Sequence, residues 1–407
     1  MKSRQLDLPA HNGLVERSAV NGAARSDLVS RLDTKALLSP PRSLLGHGNG
    51  QPDFRRLKMV FLGPSDQTKA TIFGGLIRDL SARGHDAGFL ERERNLPVDG
   101  ESKQWPFGRK QHYAGLKELK ERFAGEIREA DLIVVSSHLD EGTEIAEWVV
   151  RRARGAAAFY DLAAPATMTK FAGGNGSSIS PALARRFDLY LSLVGGPFLD
   201  YMEKHWGARM ARPLYCSVDA RQFFPERQEA KWDLGYLGDY CEERQPALER
   251  LLIEPARRWE DGIFMVAGSG YPRSARWPKN VKRRPDVPER RHREFYNSQR
   301  FALNLTPPNS IAAGFSPNLR MFEAAACGTP VITEFWPGLE TFFKPDDEIL
   351  ISHTADETMI YLEEISELQR RRIGYRAREC VLAKHTTRHR AFELEKYALE
   401  VLKLAAV

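Results

Sequence analysis

Cysteine is scarce in this chain and scattered where it occurs. Cys216, Cys241, Cys327 and Cys380 form no C-x-x-C pair, which excludes the usual zinc and dithiol patterns and fits a reducing compartment. Long apolar runs are lacking as well. Nothing approaches the ~20 residues that span a bilayer, and the N-terminus has no apolar stretch of the kind a secretory signal needs. Aromatic residues are missing before Phe54, in a segment where Gly, Ser, Pro, Asn and Arg are frequent. Such a segment cannot bury enough apolar surface to offset its ordering entropy, so residues 1–55 are expected to form a disordered tail. Three motifs are also absent: G-x-x-x-x-G-K-[ST], H-E-x-x-H and G-x-S-x-G. Their absence removes P-loop nucleotide hydrolysis, zinc proteolysis and the serine-hydrolase elbow. Gly268-Ser269-Gly270 is too short for a dinucleotide fingerprint, which needs G-x-G-x-x-G.

What is present is an ordinary globular composition, 42% hydrophobic and 28% charged over 407 residues. A chain of that length exceeds one ordinary core, so two domains are expected. The net charge of +6 tolerates anionic partners without selecting one. A cytoplasmic protein, at most peripheral to a membrane, is the expectation.

Apolar strand patterns alternate with helical ones. Strands are predicted at 58–62, 86–91, 131–137, 156–161 and 188–193, with helices at 70–83, 116–129 and 143–153 between them. This alternation predicts a doubly wound parallel sheet. The stretch 213–231 lacks periodicity and reads as a linker. A second α/β unit follows, with strands at 232–238, 262–268, 301–305 and 330–333, helices near 244–252 and 319–326, a long helix over 357–378 and a charged helix over 385–404. The expected divisions are 1–55 (tail), 56–220 (first domain), 221–384 (second domain) and 385–407 (a final helix).

One stretch carries most of the chemistry. Gly314 to Pro317 is a turn-prone lead into a short helix bearing Arg320 and Glu323, stopped by Gly328 and followed by the strand Val331-Ile332. Residues three apart share a helix face, and a helix N-terminus favours an anion. An Arg for phosphate beside a Glu for hydroxyls suits a nucleotide-sugar diphosphate and its ribose; an intrahelical ion pair is the structural alternative. Ligands bind at the carboxyl ends of parallel strands, which singles out further loops. Arg244 opens a helix just after the Gly238 loop and suits a diphosphate, unless it pairs with Glu242 or Glu243. His138 and Asp161 each follow a strand and are the general-base candidates; a loop histidine and a turn or cap residue are the alternatives. Asp66 is the acceptor-hydroxyl candidate, or simply a turn residue. From Arg273 to Arg293 there are nine Arg and Lys residues against Asp286 and Glu289. An anionic acceptor, a membrane surface or nucleic acid would suit it, nucleic acid least; a solvated basic loop is the simpler expectation.

With these residues in view, the second half resembles the CgeB-like glycosyltransferases of the GT-B superfamily. The matching segments are Asp233-Leu-Gly-Tyr-Leu-Gly-Asp-Tyr, Arg244-Gln-Pro-Ala-Leu, Val266-Ala-Gly-Ser-Gly-Tyr-Pro, Trp277-Pro-Lys-Asn-Val, His292-Arg-Glu-Phe-Tyr, Leu303-Asn-Leu-Thr and Ser316-Pro-Asn-Leu-Arg-Met-Phe-Glu-Ala-Ala-Ala-Cys-Gly-Thr-Pro. The first half is looser, and the loop after Asp161 reads Leu-Ala-Ala-Pro where the family suggests an Asp-Thr-Pro-like sequence. The resemblance implies two Rossmann-like domains facing across a cleft, with the last helix crossing back onto the first. It implies sugar transfer from a nucleoside-diphosphate sugar to a hydroxyl on a glycan, protein or small molecule, without metal or cofactor. Glu323 would hold ribose, Arg320 and Arg244 the diphosphate, and Gly268, Gly270, Tyr271, Ser316 and Asn318 would line the donor pocket. The rival expectations are a nucleotide-sugar epimerase of the same fold and a non-catalytic nucleotide- or sugar-binding module.

Overall fold

The computed structural model describes residues 55–64, 67–93, 109–164, 179–285 and 287–404. Residues 1–54 of the expected tail and Asp66 lie outside them. The described residues belong to one compact unit.

Two parallel sheets carry the architecture. The first joins β1 (Lys58–Gly63), β2 (Asp86–Arg92), β3 (Arg109–Tyr113), β4 (Leu132–Ser136), β5 (Ala156–Asp161), β6 (Leu189–Ser192) and β7 (Ala211–Pro213) in the order β3-β2-β1-β4-β5-β6-β7. The second joins β8 (Trp232–Leu237), β9 (Phe264–Ala267), β10 (Val281–Arg284), β11 (Gln299–Asn304), β12 (Val331–Thr333) and β13 (Leu350–Ile351) in the order β10-β9-β8-β11-β12-β13. Each order reverses once, between β1 and β4 and between β8 and β11. Such switch points open a crevice at the carboxyl ends of the strands.

The central strands are continuous apolar runs because helices cover both faces; Met59 to Leu62 and Leu132 to Val135 are fully buried. Around the first sheet lie α1 (Gln67–Ala82), α2 (Leu116–Glu129), α3 (Gly142–Arg152) and α4 (Pro197–Trp206). Around the second lie α5 (His292–Asn297), α6 (Leu319–Ala326), α7 (Ala355–Glu364) and α8 (Glu367–Lys384). The single long helix expected over 357–378 is two. Ser366 caps α8 with a reciprocal capping box to Gln369, which starts a new helix without any Gly or Pro. The basic stretch is not one solvated loop either, since Val281–Arg284 forms the edge strand β10.

The last helix, α9 (Thr387–Leu404), returns to the first domain. Ala391, Leu394, Ala398 and Val401 are buried with Met59, Phe61 and Phe73 in one cluster. Polar contacts fix the same return: Asp79 of α1 accepts from the Thr387 hydroxyl and from Arg221 of the linker, and Glu395 pairs with Arg83. The expected crossing of the final helix is therefore observed.

Candidate functional site

The carboxyl ends of β8 and β11 close on a small pocket. Arg244 and Arg320 both line it, with Tyr236, Tyr296, Asn304 and Asn318. Asn318 positions Arg320 by capping α6: its side-chain oxygen accepts from the Arg320 backbone N–H at 3.0 Å. Arg244 is tethered by one bond, from Nη2 to the Asp239 carbonyl at 3.1 Å, and its Nε is buried without an acceptor. Among the described residues neither guanidinium has a carboxylate partner. The alternatives read from sequence, an Arg320–Glu323 pair and an Arg244 pair with Glu242 or Glu243, are thus not formed.

The acid beside the two arginines is already engaged. Asp239 accepts from the Ser269 backbone N–H at 2.8 Å and the Ser269 hydroxyl at 2.9 Å. Those bonds, the backbone one foremost, hold its carboxyl below the usual range, with Arg320 and Arg244 adding to the effect. Two half-buried cations face an internally satisfied carboxylate. Such a pocket is complementary to a dianionic group.

The glycine loop forms the adjoining wall. Gly268 has φ +147°, and a side chain there would collide with the Gly238 carbonyl, 2.0 Å from the Cβ position. Only glycine lets these two strand ends approach so closely. The Tyr271 hydroxyl donates to the Gly238 carbonyl at 2.9 Å. Its ring packs edge-on against Tyr240 and Trp277, and the Arg283 guanidinium lies over Tyr271 and Trp277 at 4.4 and 4.1 Å. Gly270 has φ +78° in the same loop.

Glu323 does not enter the arginine pocket. It is 3% exposed, accepts from the Tyr296 hydroxyl at 3.3 Å and lies 3.5 Å from Nδ1 of His292. It lines a neighbouring cavity with Ser217, Asp219, Gln222, Glu289 and Thr387. Tyr296 lines the arginine pocket and donates to Glu323, so it separates the two. Ser316 is half-buried in the loop before α6.

That loop also touches the first domain. The Gly195 N–H donates to the Phe315 carbonyl at 3.1 Å, and the Phe315 ring occupies the space a Cβ on Gly196 would need. Phe315 itself has φ +43°, a conformation costly for an aromatic residue and concentrated at functional positions.

Residues 244–396 match a family model described as glycosyl transferase-like. No curated protein matches. Many solved structures do. A sucrose-phosphate synthase from Thermosynechococcus elongatus is 15% identical with a TM-score of 0.60, covering 86% of this chain and 100% of its own. HepE from Anabaena, in complex with UDP-glucose, is 11% identical with a TM-score of 0.61, covering 86% and 100%. An alpha-glucosyltransferase in complex with UDP-glucose and DNA containing an abasic site is 10% identical with a TM-score of 0.64, covering 85% and 100%.

The fold is GT-B. On the first-domain side of this GT-B cleft the expected residues fare unevenly. His138 is exposed at the end of β4, with φ +68° and Nδ1 3.0 Å from the Ser137 hydroxyl. Asp161 is 0% exposed; it accepts from the Tyr190 hydroxyl at 2.6 Å and the Ala163 N–H at 2.9 Å. That is a carboxylate fixing the turn after β5, with neither oxygen open to solvent. Around the arginine pocket, Tyr236, Tyr296, Asn304 and Asp239 were not singled out from the sequence. Asp239 and Asn304 lay within quoted motifs at strand ends, which was the available signal. Among the described residues no His, Cys, Asp and Glu cluster could hold a metal ion, and no helix is long and apolar enough to cross a membrane.

Proposed function

We propose that the protein is a glycosyltransferase of the CgeB-like kind, moving a sugar from a nucleoside-diphosphate sugar to a hydroxyl acceptor. The observation that carries this reading is the Arg244–Arg320 pair, two guanidiniums without carboxylate partners lining one pocket at the switch point of the second sheet. The glycosyl transferase-like match over 244–396 supports it, as do the UDP-glucose complexes of two proteins sharing the fold.

In this reading the diphosphate sits between Arg244, Arg320 and the start of α6. The acceptor hydroxyl attacks the anomeric carbon, the bond from that carbon to the diphosphate oxygen breaks, and the leaving diphosphate takes the electron pair. Both guanidiniums stabilise the charge that grows on it, a task that needs no metal here. His138, exposed at the end of β4, would take the hydroxyl proton. The Gly268–Tyr271 loop shapes the pocket's far wall, and Glu323 orients Tyr296 by accepting from its hydroxyl.

The test is thermal unfolding against UDP, GDP, ADP, dTDP and CMP, with Arg320→Ala and Glu323→Ala alongside. One nucleotide should raise Tm in the wild type and fail to do so in Arg320→Ala. No shift with any nucleotide at millimolar concentration would overturn the donor site.

A further inference from the structure

A second cationic pocket borders the second sheet. It is lined by Lys231 and Trp232 at the start of β8, by Arg284 at the end of β10, and by Arg291, Glu294 and Phe295 around α5. Trp232 opens β8, whereas Arg284 closes β10, where its carbonyl accepts from the Gly268 N–H at 2.9 Å; the two pockets share no lining residue.

The charges here do not balance. Arg291 is committed to Glu294 through two bonds, Nε to Oε2 at 2.8 Å and Nη2 to Oε1 at 2.9 Å. That pair is neutral. Lys231 and Arg284 have no ion-pair partner among the described residues, yet both lie close enough to add to the lowering of the Glu294 carboxyl that Arg291 dominates. The Arg284 guanidinium sits 5.8 Å from the Trp232 ring. The Trp232 indole N–H is buried and has no protein acceptor. A buried donor without an acceptor is unfavourable unless something accepts from it. An anion oxygen would satisfy it and offset both cations. A guanidinium fork, an ammonium and an indole N–H around one hollow are three donors of the kind a phosphate group takes up.

We propose that this pocket is an accessory site for a phosphate group, held by Arg284 and Lys231 with the Trp232 N–H as the third donor. It localises the anionic contact of the basic stretch to one place, and it is independent of the donor-site reading. The phosphate could belong to a soluble phosphate ester or to a lipid headgroup, and the two are separable by experiment.

The full chain carrying Arg244→Ala and Arg320→Ala together, which removes both cations of the other pocket, is titrated calorimetrically with inorganic phosphate. It is also cosedimented with phosphatidylcholine vesicles with and without phosphatidic acid. Phosphate should bind and weaken with added salt. Arg284→Gln and Lys231→Gln should each reduce affinity ~10-fold, and Trp232→Phe, which keeps the ring and removes the N–H, ~5-fold. The Arg284 substitution spares the backbone bond from the Gly268 N–H to the Arg284 carbonyl at 2.9 Å, so the donor loop stays anchored. Vesicle binding that needs phosphatidic acid and is lost in Arg284→Gln supports the site with a headgroup as the source. Phosphate binding without vesicle binding supports it with a soluble ester. Binding of neither probe, or binding unchanged in Arg284→Gln, overturns the proposal.

Discussion

The carboxyl edges of the two sheets share a strand order around their switch points and differ in how charge is treated there. At the ends of β8 and β11, Arg244 and Arg320 stand without carboxylate partners. At the ends of β2 to β5 the charges are matched: Lys110 sits on Glu91, Arg92 lies 3.2 Å from Glu141, and Asp161 is engaged by Tyr190 and Ala163. The fold supplies a crevice in both halves, but among the described residues the second half leaves positive charge in it unanswered while the first half pairs the charges named here. Unsatisfied charge, not topology, distinguishes a ligand site from scaffold.

The comparison is broken most directly at the arginines. Each should contribute through charge-assisted bonds of about 1.5–3 kcal/mol to a diphosphate, so Arg320→Ala or Arg244→Ala should weaken nucleotide binding by ~10- to 100-fold in calorimetry. Neither has a protein carboxylate to lose, and removing one relieves like-charge repulsion. Unfolding should therefore stay level or shift to slightly higher temperature. A large loss of Tm in both variants would mean that the pair is structural.

The opposite signature is expected at the seam between α1, the linker and α9. Asp79 is 6% exposed and accepts from Arg221 and Thr387. Asp79→Ala strands both donors and should cost about 2–4 kcal/mol, lowering Tm by several degrees. Nucleotide affinity per folded molecule should change less than about twofold, because the bonds lost are remote from the arginine pocket. A parallel loss of affinity would show that the donor site depends on the seam.

How much of this was legible in the sequence follows the same division. Buried parallel strands announce themselves as apolar runs, so β1, β4, β5, β9 and β11 were readable. The edge strands β3 and β10 read Arg-Lys-Gln-His-Tyr and Val-Lys-Arg-Arg. An edge strand needs only one paired side and tolerates polar residues, so nothing in those letters marks a strand. β7 is three residues ending in Pro213, too short for any periodicity. The break between α7 and α8 did leave a signal, Ser366 three residues before Gln369, that a search for Gly or Pro passes over. At the site, Arg244 and Arg320 were legible as cations beside strand ends and a helix start. What could not be read was which face each neighbour takes: Glu323 turns away behind Tyr296, and Asp161 points inward to Tyr190. Those outcomes depend on packing between elements distant in sequence, as the Asp161–Tyr190 bond across neighbouring strands illustrates.

Asp161 sharpens the comparison on the first-domain side. Asp161→Asn keeps the acceptor for Ala163 and places a donor against the Tyr190 hydroxyl. It should cost about 1–2 kcal/mol of stability, read by denaturant unfolding, with nucleotide binding intact. If a working transfer assay instead showed activity collapsing while stability held, Asp161 would return as the base. His138→Ala provides the counterpart: it should leave stability within about 0.5 kcal/mol, as for an exposed loop residue, and abolish most transfer.

The smallest effect near neutral pH belongs to His385, where the chain passes from α8 to α9. The ring is 6% exposed, stacks on Phe322 at 4.8 Å and accepts at Nδ1 from Arg390 at 2.9 Å. Burial first, then Arg390 and Lys384, push its pKa from 6.5 down to about 3. The neutral form is thus the folded form. Between those two values the unfolded chain binds a proton that the folded chain does not, so stability is fully present above about pH 6.5 and is lost as pH falls. The slope approaches about 1.4 kcal/mol per pH unit, and the loss is roughly 1 kcal/mol at pH 6. His385→Phe removes this titration while other groups keep theirs. The difference in unfolding free energy between wild type and variant should be flat above pH 7 and should change by nearly that slope between pH 5.5 and 4.5, with the variant gaining on the wild type. Parallel profiles across the whole range would mean that His385 is charged, or free to charge, within the fold, and that the seam is more open to water than its packing indicates.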